Sequence, residues 1–186
     1  RDYNTDGVWV QRFISEYNDR VVMAFRDSTT VFVKEGCEEY GRVFAIMYDG
    51  IAGRVNSIKT DWKHLVDNLE ITDSERYLHH NNRPLVALWG YTVRDDATVE
   101  ELEELIEFFH NNPDSKYRAS IKLGVNDNFW KKGTRWSEAL AQVEVISPWS
   151  VGRFGTQSGY NSYEKNQKMV KTTNFYEKNL KNTIFF

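Results

Sequence analysis

Cysteine is almost absent. Cys37 stands alone in 186 residues, which excludes an intrachain disulfide and any cysteine-rich zinc site. Long apolar runs are missing too: no stretch approaches the ~20 residues that span a bilayer, and no secretory apolar region is present. Charge of one sign is also scarce. The net charge is -3, and the 24 Lys and Arg are scattered, so no basic stripe can follow a phosphate backbone and nucleic acid is not an expected partner. No G-x-G-x-x-G or phosphate loop follows any apolar run, which disfavours a nucleotide-binding doubly wound fold. Without G-x-S-x-G a nucleophile-elbow hydrolase is excluded. His64, His79, His80 and His110 form no H-E-x-x-H, and the His79-His80 pair reads as a polar helix or turn at the surface rather than as metal ligands. The sequence calls for no metal and no cofactor.

What is present is aromatic. Phe, Trp and Tyr make up 15% of the chain, with six Trp. Such rings stack on the apolar faces of sugars, and they also fill cores. A short phrase recurs as well: an apolar run that ends in a polar or aromatic cluster, followed by a helical stretch. Asp6–Phe13, Arg42–Asp49, Arg83–Gly90, Ala119–Gly124 and Val143–Trp149 are five such runs, and Asn182–Phe186 resembles a sixth strand cut short. Their starts lie about 20 to 40 residues apart, the spacing of βα units. The expected fold class is α/β, in one domain with no linker or second domain.

Between the runs, apolar positions recur at helical spacing. Val21, Val22, Phe25, Thr29, Phe32, Val33, Gly36 and Tyr40 predict an amphipathic helix over 19–40, capped by Gly41, with Cys37 as a buried thiol on its apolar face. Ile58, Trp62, Leu65, Val66 and Leu69 predict a helix over 56–68. Thr72–Glu75 has the form of a capping box opening a short helical turn. Thr98–Glu101 is another, opening a helix with Leu102, Leu105, Ile106 and Phe109 inside. Its run Glu100, Glu101, Glu103 and Glu104 is a solvated face favourable at the positive dipole end. A short helix is expected over 134–142 and a longer polar one over 163–181.

Parallel strands joined by helices gather their C-terminal ends on one face, where α/β enzymes keep their chemistry. Those ends are Gln11, Arg12 and Phe13; Met47, Tyr48 and Asp49; Trp89, Gly90 and Tyr91; Gly124 to Asp127; and Ser147, Pro148 and Trp149, with Arg153 shortly after. Planar polar groups that hold hydroxyls, beside rings that stack on CH faces, suit a sugar. Asp49, before Gly50, is the sharpest single residue, either a carboxylate in the mouth or a cap for the next loop. Arg12 is read as its salt-bridge partner, which keeps it ionised. Glycoside hydrolysis usually takes two acids. Glu16 and Asp127 are the only others near strand ends, and both read as loop residues.

At Asp6–Phe13, Val43–Asp49, Arg83–Gly90 and Ile146–Arg153 the chain resembles a bacterial glycoside hydrolase group similar to families 71 and 99, the endo-α-mannosidase-like enzymes, whose relatives are often labelled xylosidase/arabinosidase. The resemblance implies a (β/α)8 TIM-type barrel, of which residues 1–186 would be an incomplete segment covering the second to sixth strands and the start of the seventh. It implies a sugar site at the C-terminal mouth, with Asp49 at the position of a catalytic-site carboxylate that contacts the sugar and Trp149 near a strand-end aromatic. In these families the acids stand on the last barrel strand, in a Glu-Trp-His-Glu or Asp-Glu-Val-Asp-Glu type of phrase. No such phrase occurs here, so the general acid and base would lie beyond Phe186. For family 99 the chemistry is retaining hydrolysis with the substrate's own 2-hydroxyl as nucleophile. The expected function is hydrolysis of an α-linked glycan, with Gln11, Arg12, Tyr48, Trp89 and Trp149 binding an oligosaccharide or polysaccharide. The alternative is a non-catalytic carbohydrate-binding protein on a barrel scaffold, and a third reading is an open-sheet α/β protein with a small-molecule ligand. The family implies a periplasmic or extracellular location. The sequence leaves sugar, linkage, exo or endo action and oligomeric state open.

Overall fold

A computed structural model describes residues 5–91, 97–126, 134–149, 155–172 and 184–185. Within them the chain runs β1 (Gly7–Phe13), α1 (Arg20–Tyr40), β2 (Val43–Asp49), α2 (Val55–Asp67), β3 (His79–His80), β4 (Arg83–Trp89), α3 (Val99–Asn111), β5 (Ser120–Val125), α4 (Thr134–Leu140), β6 (Val145–Pro148), α5 (Gln157–Thr172) and β7 (Ile184–Phe185). Five strands form a parallel sheet in the order β1-β2-β4-β5-β6, with β7 beside β6 and β3 antiparallel to the start of β4. The parallel βα arrangement expected from the recurring apolar runs is present.

The order is sequential, so every crossover steps the same way. Right-handed crossovers then place the connecting helices on one face. Strand alternation agrees: Val10, Phe44, Ile46, Val86, Leu88, Ile121, Leu123 and Ile146 are buried in one core with Ile58, Trp62, Leu65, Leu102, Leu105 and Phe109 from α2 and α3. Trp62 anchors that layer, donating from Nε1 to the Tyr117 carbonyl at 2.9 Å and meeting Tyr77 and Phe109 edge to face. On the other face, Trp9 and Phe13 of β1 are exposed.

Local chemistry explains the helix ends. Asp19 accepts from the Val21 and Val22 amides, and Gly41 at φ 64° closes α1. Thr98 and Glu101 form the capping box of α3 as expected. Thr72–Glu75 does not open a helix. Only a 3-10 turn forms over Ile71–Asp73, because the chain that follows is captured by β2: the Phe44 amide donates to the Arg76 carbonyl at 3.0 Å and the Leu78 amide to the Phe44 carbonyl at 2.8 Å. The His79-His80 pair is accordingly a strand rather than a helix or turn. The last helix starts at Gln157 rather than Tyr163 and is described to Thr172; the expected stretch 173–181 lies outside the described residues.

The first helix holds a larger surprise. Cys37 is buried as expected, and burial pushes its thiol pKa up. The apolar residues Val21, Phe25, Phe32 and Tyr40, however, point away from the sheet, Phe25 being 72% exposed. The inner face of α1 is instead built around Thr30 and Cys37, since α1 sits over a polar cluster in β1.

Glu144 ties the helix layer to the sheet. Burial pushes its carboxyl up, but hydrogen bonding from His110 and from the Ile121 amide outweighs this and holds it below the usual carboxylate range. The Ile121 amide donates to Oε2 at 2.7 Å, and the His110 Nε2 stands 3.2 Å from Oε1. A depressed folded pKa contributes stability above the unfolded value, about 4.3 for Glu, and loses it as pH falls through the folded value. Urea melts of the natural chain and of Glu144→Gln are therefore expected to differ most at pH 7 and to converge below about pH 4. A gap that widens in acid would refute the assignment.

Candidate functional site

Strand parity decides which strand-end side chains reach the mouth. In a strand, successive side chains point to opposite faces. Gln11, Asp49, Trp89 and Ser147 share the helix-free face; Arg12 and Tyr48 belong to the other one. Of the residues expected in the mouth, the structure thus brings together Gln11, Asp49, Trp89 and Trp149, and it takes Arg12 and Tyr48 elsewhere.

The Asp49 carboxylate sits between two donors. Gln11 Nε2 donates to Oδ2 at 2.9 Å and the Gly50 amide to Oδ1 at 2.6 Å. The expected Arg12–Asp49 pair is not formed; the neutral amide of Gln11 takes that place, two register pairs from Asp49 and on the same face. Gly50 at φ 68° and Gly90 at φ 128° follow Asp49 and Trp89 directly, so both strands turn sharply just after their mouth residue. Arg54 Nη1 donates to the Ala52 carbonyl at 2.8 Å and the Gly53 amide to Glu101 Oε1 at 2.7 Å, which fixes the loop after β2 on the start of α3.

The aromatic part is built on a missing side chain. Trp89 pairs with Gly124 across β4 and β5, and its ring lies so close that a Cβ on Gly124 would fall 1.4 Å from Cε3. Only glycine leaves the ring that space. Trp149 comes just after β6, but its amide continues the ladder, donating to the Val125 carbonyl at 2.8 Å. The two indoles meet at 5.1 Å between centroids with a 50° tilt. Trp149 is 47% exposed, so the pair offers ring surface to solvent beside a fixed carboxylate and amide. Tyr91 turns inward and is fully buried. Asp127 and Arg153 lie outside the described residues. Glu16 forms an ion pair with Arg26 after the end of β1.

Arg12 and Tyr48 do different work. The Arg12 guanidinium is 1% exposed and grips Asp61 of α2 with two bonds, Nε to Oδ2 at 2.8 Å and Nη2 to Oδ1 at 2.6 Å. It also donates to Asp27 Oδ1 at 2.9 Å and Thr30 Oγ1 at 3.3 Å, both on α1. The Tyr48 hydroxyl donates to Asp61 Oδ2 at 2.9 Å, and His64 Nε2 stands 2.9 Å from Asp27 Oδ2. Burial opposes the Arg12 charge, but Asp61, with smaller contributions from Tyr48 and Asp27, outweighs it and raises the pKa; burial first and Asp61 second push the Tyr48 hydroxyl well above its ordinary value. The sequence reading missed Asp61 and Asp27. The signal was available: Val10 and Arg12 share parity, as do Ile46 and Tyr48.

Among the described residues no three His, Cys, Asp or Glu side chains gather as a metal site would need, and no helix is long and apolar enough to cross a membrane. No family model, no curated protein and no solved structure matches the chain, so any reading of the mouth rests on its geometry.

Substitutions at these positions test this arrangement. Arg12→Met leaves Asp61 buried without its cation and is expected to cost roughly 3–5 kcal/mol in urea unfolding, since breaking a buried pair strands the other charge. Tyr48→Phe, which leaves the ion pair intact, is expected to cost about 1.5–3 kcal/mol. Gly124→Ala should displace Trp89 and remove the circular-dichroism signal expected of the coupled indoles, and Trp149→Phe should remove it too. An unchanged spectrum in Gly124→Ala would refute the role given to that glycine.

Proposed function

We propose that this chain is the sugar-binding part of a (β/α)8-barrel glycoside hydrolase acting on an α-linked glycan, in the manner of the endo-α-mannosidase-like enzymes it resembles. The observation that carries the reading is the mouth itself: a carboxylate held by two donors, an amide beside it, and two tilted indoles, all at the carboxyl ends of parallel strands. Rings stack on the CH faces of a pyranose while planar polar groups orient its hydroxyls. The sequential sheet with helices on one face supports the barrel, since a barrel is such a sheet carried round to closure. In this reading Asp49 contacts the sugar at the reacting centre, Gln11 orients Asp49, and Trp89 and Trp149 form a stacking subsite. Proton transfer to the leaving oxygen is assigned to carboxylates outside residues 1–186, in an exported protein.

A second reading, a non-catalytic carbohydrate-binding protein, is favoured by one observation. Among the described strand residues of the helix-free face, Asp49 is the only carboxylate, where hydrolysis usually takes two acids flanking the bond.

The test is product analysis by mass spectrometry after incubation of the full-length gene product with α-linked oligosaccharides, with Asp49→Ala and Trp149→Ala alongside. Hydrolysis is expected, slowed by at least about a hundredfold in Asp49→Ala. In Trp149→Ala, KM is expected to rise about five- to 150-fold, as the loss of a stacking contact of about 1–3 kcal/mol would give. Saturable glycan binding without cleavage would move the second reading ahead. Neither binding nor cleavage would overturn both.

A further inference from the structure

The Asp49 carboxylate takes one donor from a rigid element and one from a soft one. Gln11 belongs to β1, whereas the Gly50 amide opens the loop that runs from β2 to α2. In that loop Gly50 at φ 68° and Gly53 at φ 70° bracket Ile51 and Ala52. Glycine backbone turns at low cost, so the direction of the Gly50 N–H depends on what holds the far end of the loop. Ile51 is buried beneath Gly90, where a Cβ would lie 3.4 Å from Ile51 Cγ1. That contact fixes a side chain and leaves the orientation of the peptides to hydrogen bonds.

The far end is held by Glu101, one of the acids read from the sequence as a solvated face. Its Oε1 accepts from the Gly53 amide at 2.7 Å and its Oε2 from the Thr98 amide at 3.3 Å. The second bond belongs to the capping box, which seats the carboxylate on the first turn of α3. One side chain therefore joins the start of α3 to the loop after β2. A backbone N–H bonded to a carboxylate is held more strongly than one bonded to a neutral oxygen. Within the loop, the Arg54 amide donates to the Ile51 carbonyl at 3.1 Å and Arg54 Nη1 to the Ala52 carbonyl at 2.8 Å. A shift of Gly53 is thus transmitted along the segment to Gly50. Glu104, on the next turn of α3, pairs instead with Lys59 of α2 at 2.7 Å.

We propose that Glu101 is a positioning residue: by holding the Gly53 amide it aims the Gly50 N–H at Asp49 and sets the orientation of that carboxylate in the mouth. The inference rests on the reading of Asp49 as the group that contacts the sugar at the reacting centre, and it adds to that reading a residue outside the mouth. Its contacts lie between β2 and α3, where β2 has a strand on either side, and they are formed whether or not the sheet closes into a barrel.

The test uses the full-length gene product, isotope-labelled at Asp carbonyls and Gly nitrogens, so that the Gly50 amide is seen through its peptide bond to Asp49. Its peak is assigned by its loss in Asp49→Asn. In Glu101→Ala the peak is expected to move upfield as the bond to Asp49 loosens. On an α-linked oligosaccharide, kcat is expected to fall about ten- to a hundredfold with KM within about threefold, since a displaced group costs rate more than binding. Glu101→Gln keeps an oxygen for the Gly53 amide, and capping boxes accept Gln, so it should recover most of both. Glu104→Ala removes the same charge from the same helix and should change neither. An unmoved Gly50 peak in Glu101→Ala would overturn the proposal, whether or not the protein cleaves a glycan. A moved peak with unchanged kcat would overturn it too, as would equal losses in Glu104→Ala. A moved peak in a protein that cleaves no glycan would support the hold on Asp49 and overturn the sugar reading alone.

Discussion

The buried guanidinium of Arg12 is the constraint around which the first half of this fold is organised. A charge so nearly removed from water is tolerable only when its donors meet acceptors, and here those acceptors come from two helices. Asp61 takes two bonds from α2, Asp27 and Thr30 take others from α1, and Tyr48 on β2 completes the coordination of Asp61. Bidentate geometry fixes direction as well as distance. The two helices are thereby set at a defined height and rotation over β1 and β2, and the register of those strands determines where Gln11 and Asp49 meet on the reverse side.

The same alternation separates two kinds of work along single strands. In β1, Arg12 holds the helices and Gln11 holds Asp49. In β2, Tyr48 belongs to the ion cluster and Asp49 to the mouth. In β5, Ile121 and Leu123 fill the core while Lys122 and Gly124 face the open side. Adjacent letters of the sequence therefore answer to different physical demands.

That division also explains what could be read in advance. Helices α2 and α3 were legible because their apolar positions follow one stripe, and α3 also opens on a recognisable capping box. The strands were legible as apolar runs. The mouth was only half legible, because a run buried on one face and open on the other looks uniformly apolar: proximity to a strand end suggested Arg12 and Tyr48, and parity removed them. Asp61 was hidden for the opposite reason, a carboxylate within the apolar stripe of α2 whose partner lies 49 positions away. In α1 the apolar residues outnumber those the sheet can cover, so periodicity located the helix but not the face that packs.

Asp49 and Trp89 are each followed by a glycine whose backbone other residues adopt with strain, and Trp89 rests on a third glycine across the ladder. None of these three carries a functional group. As targets for mutation they are nonetheless equivalent to the residues they serve, for a side chain at any one of them would misplace an intact carboxylate or an intact indole. A survey of substitutions that disturb the mouth would thus mark it with silent chemistry, its outline drawn as much by positions that must stay empty as by those that must be filled.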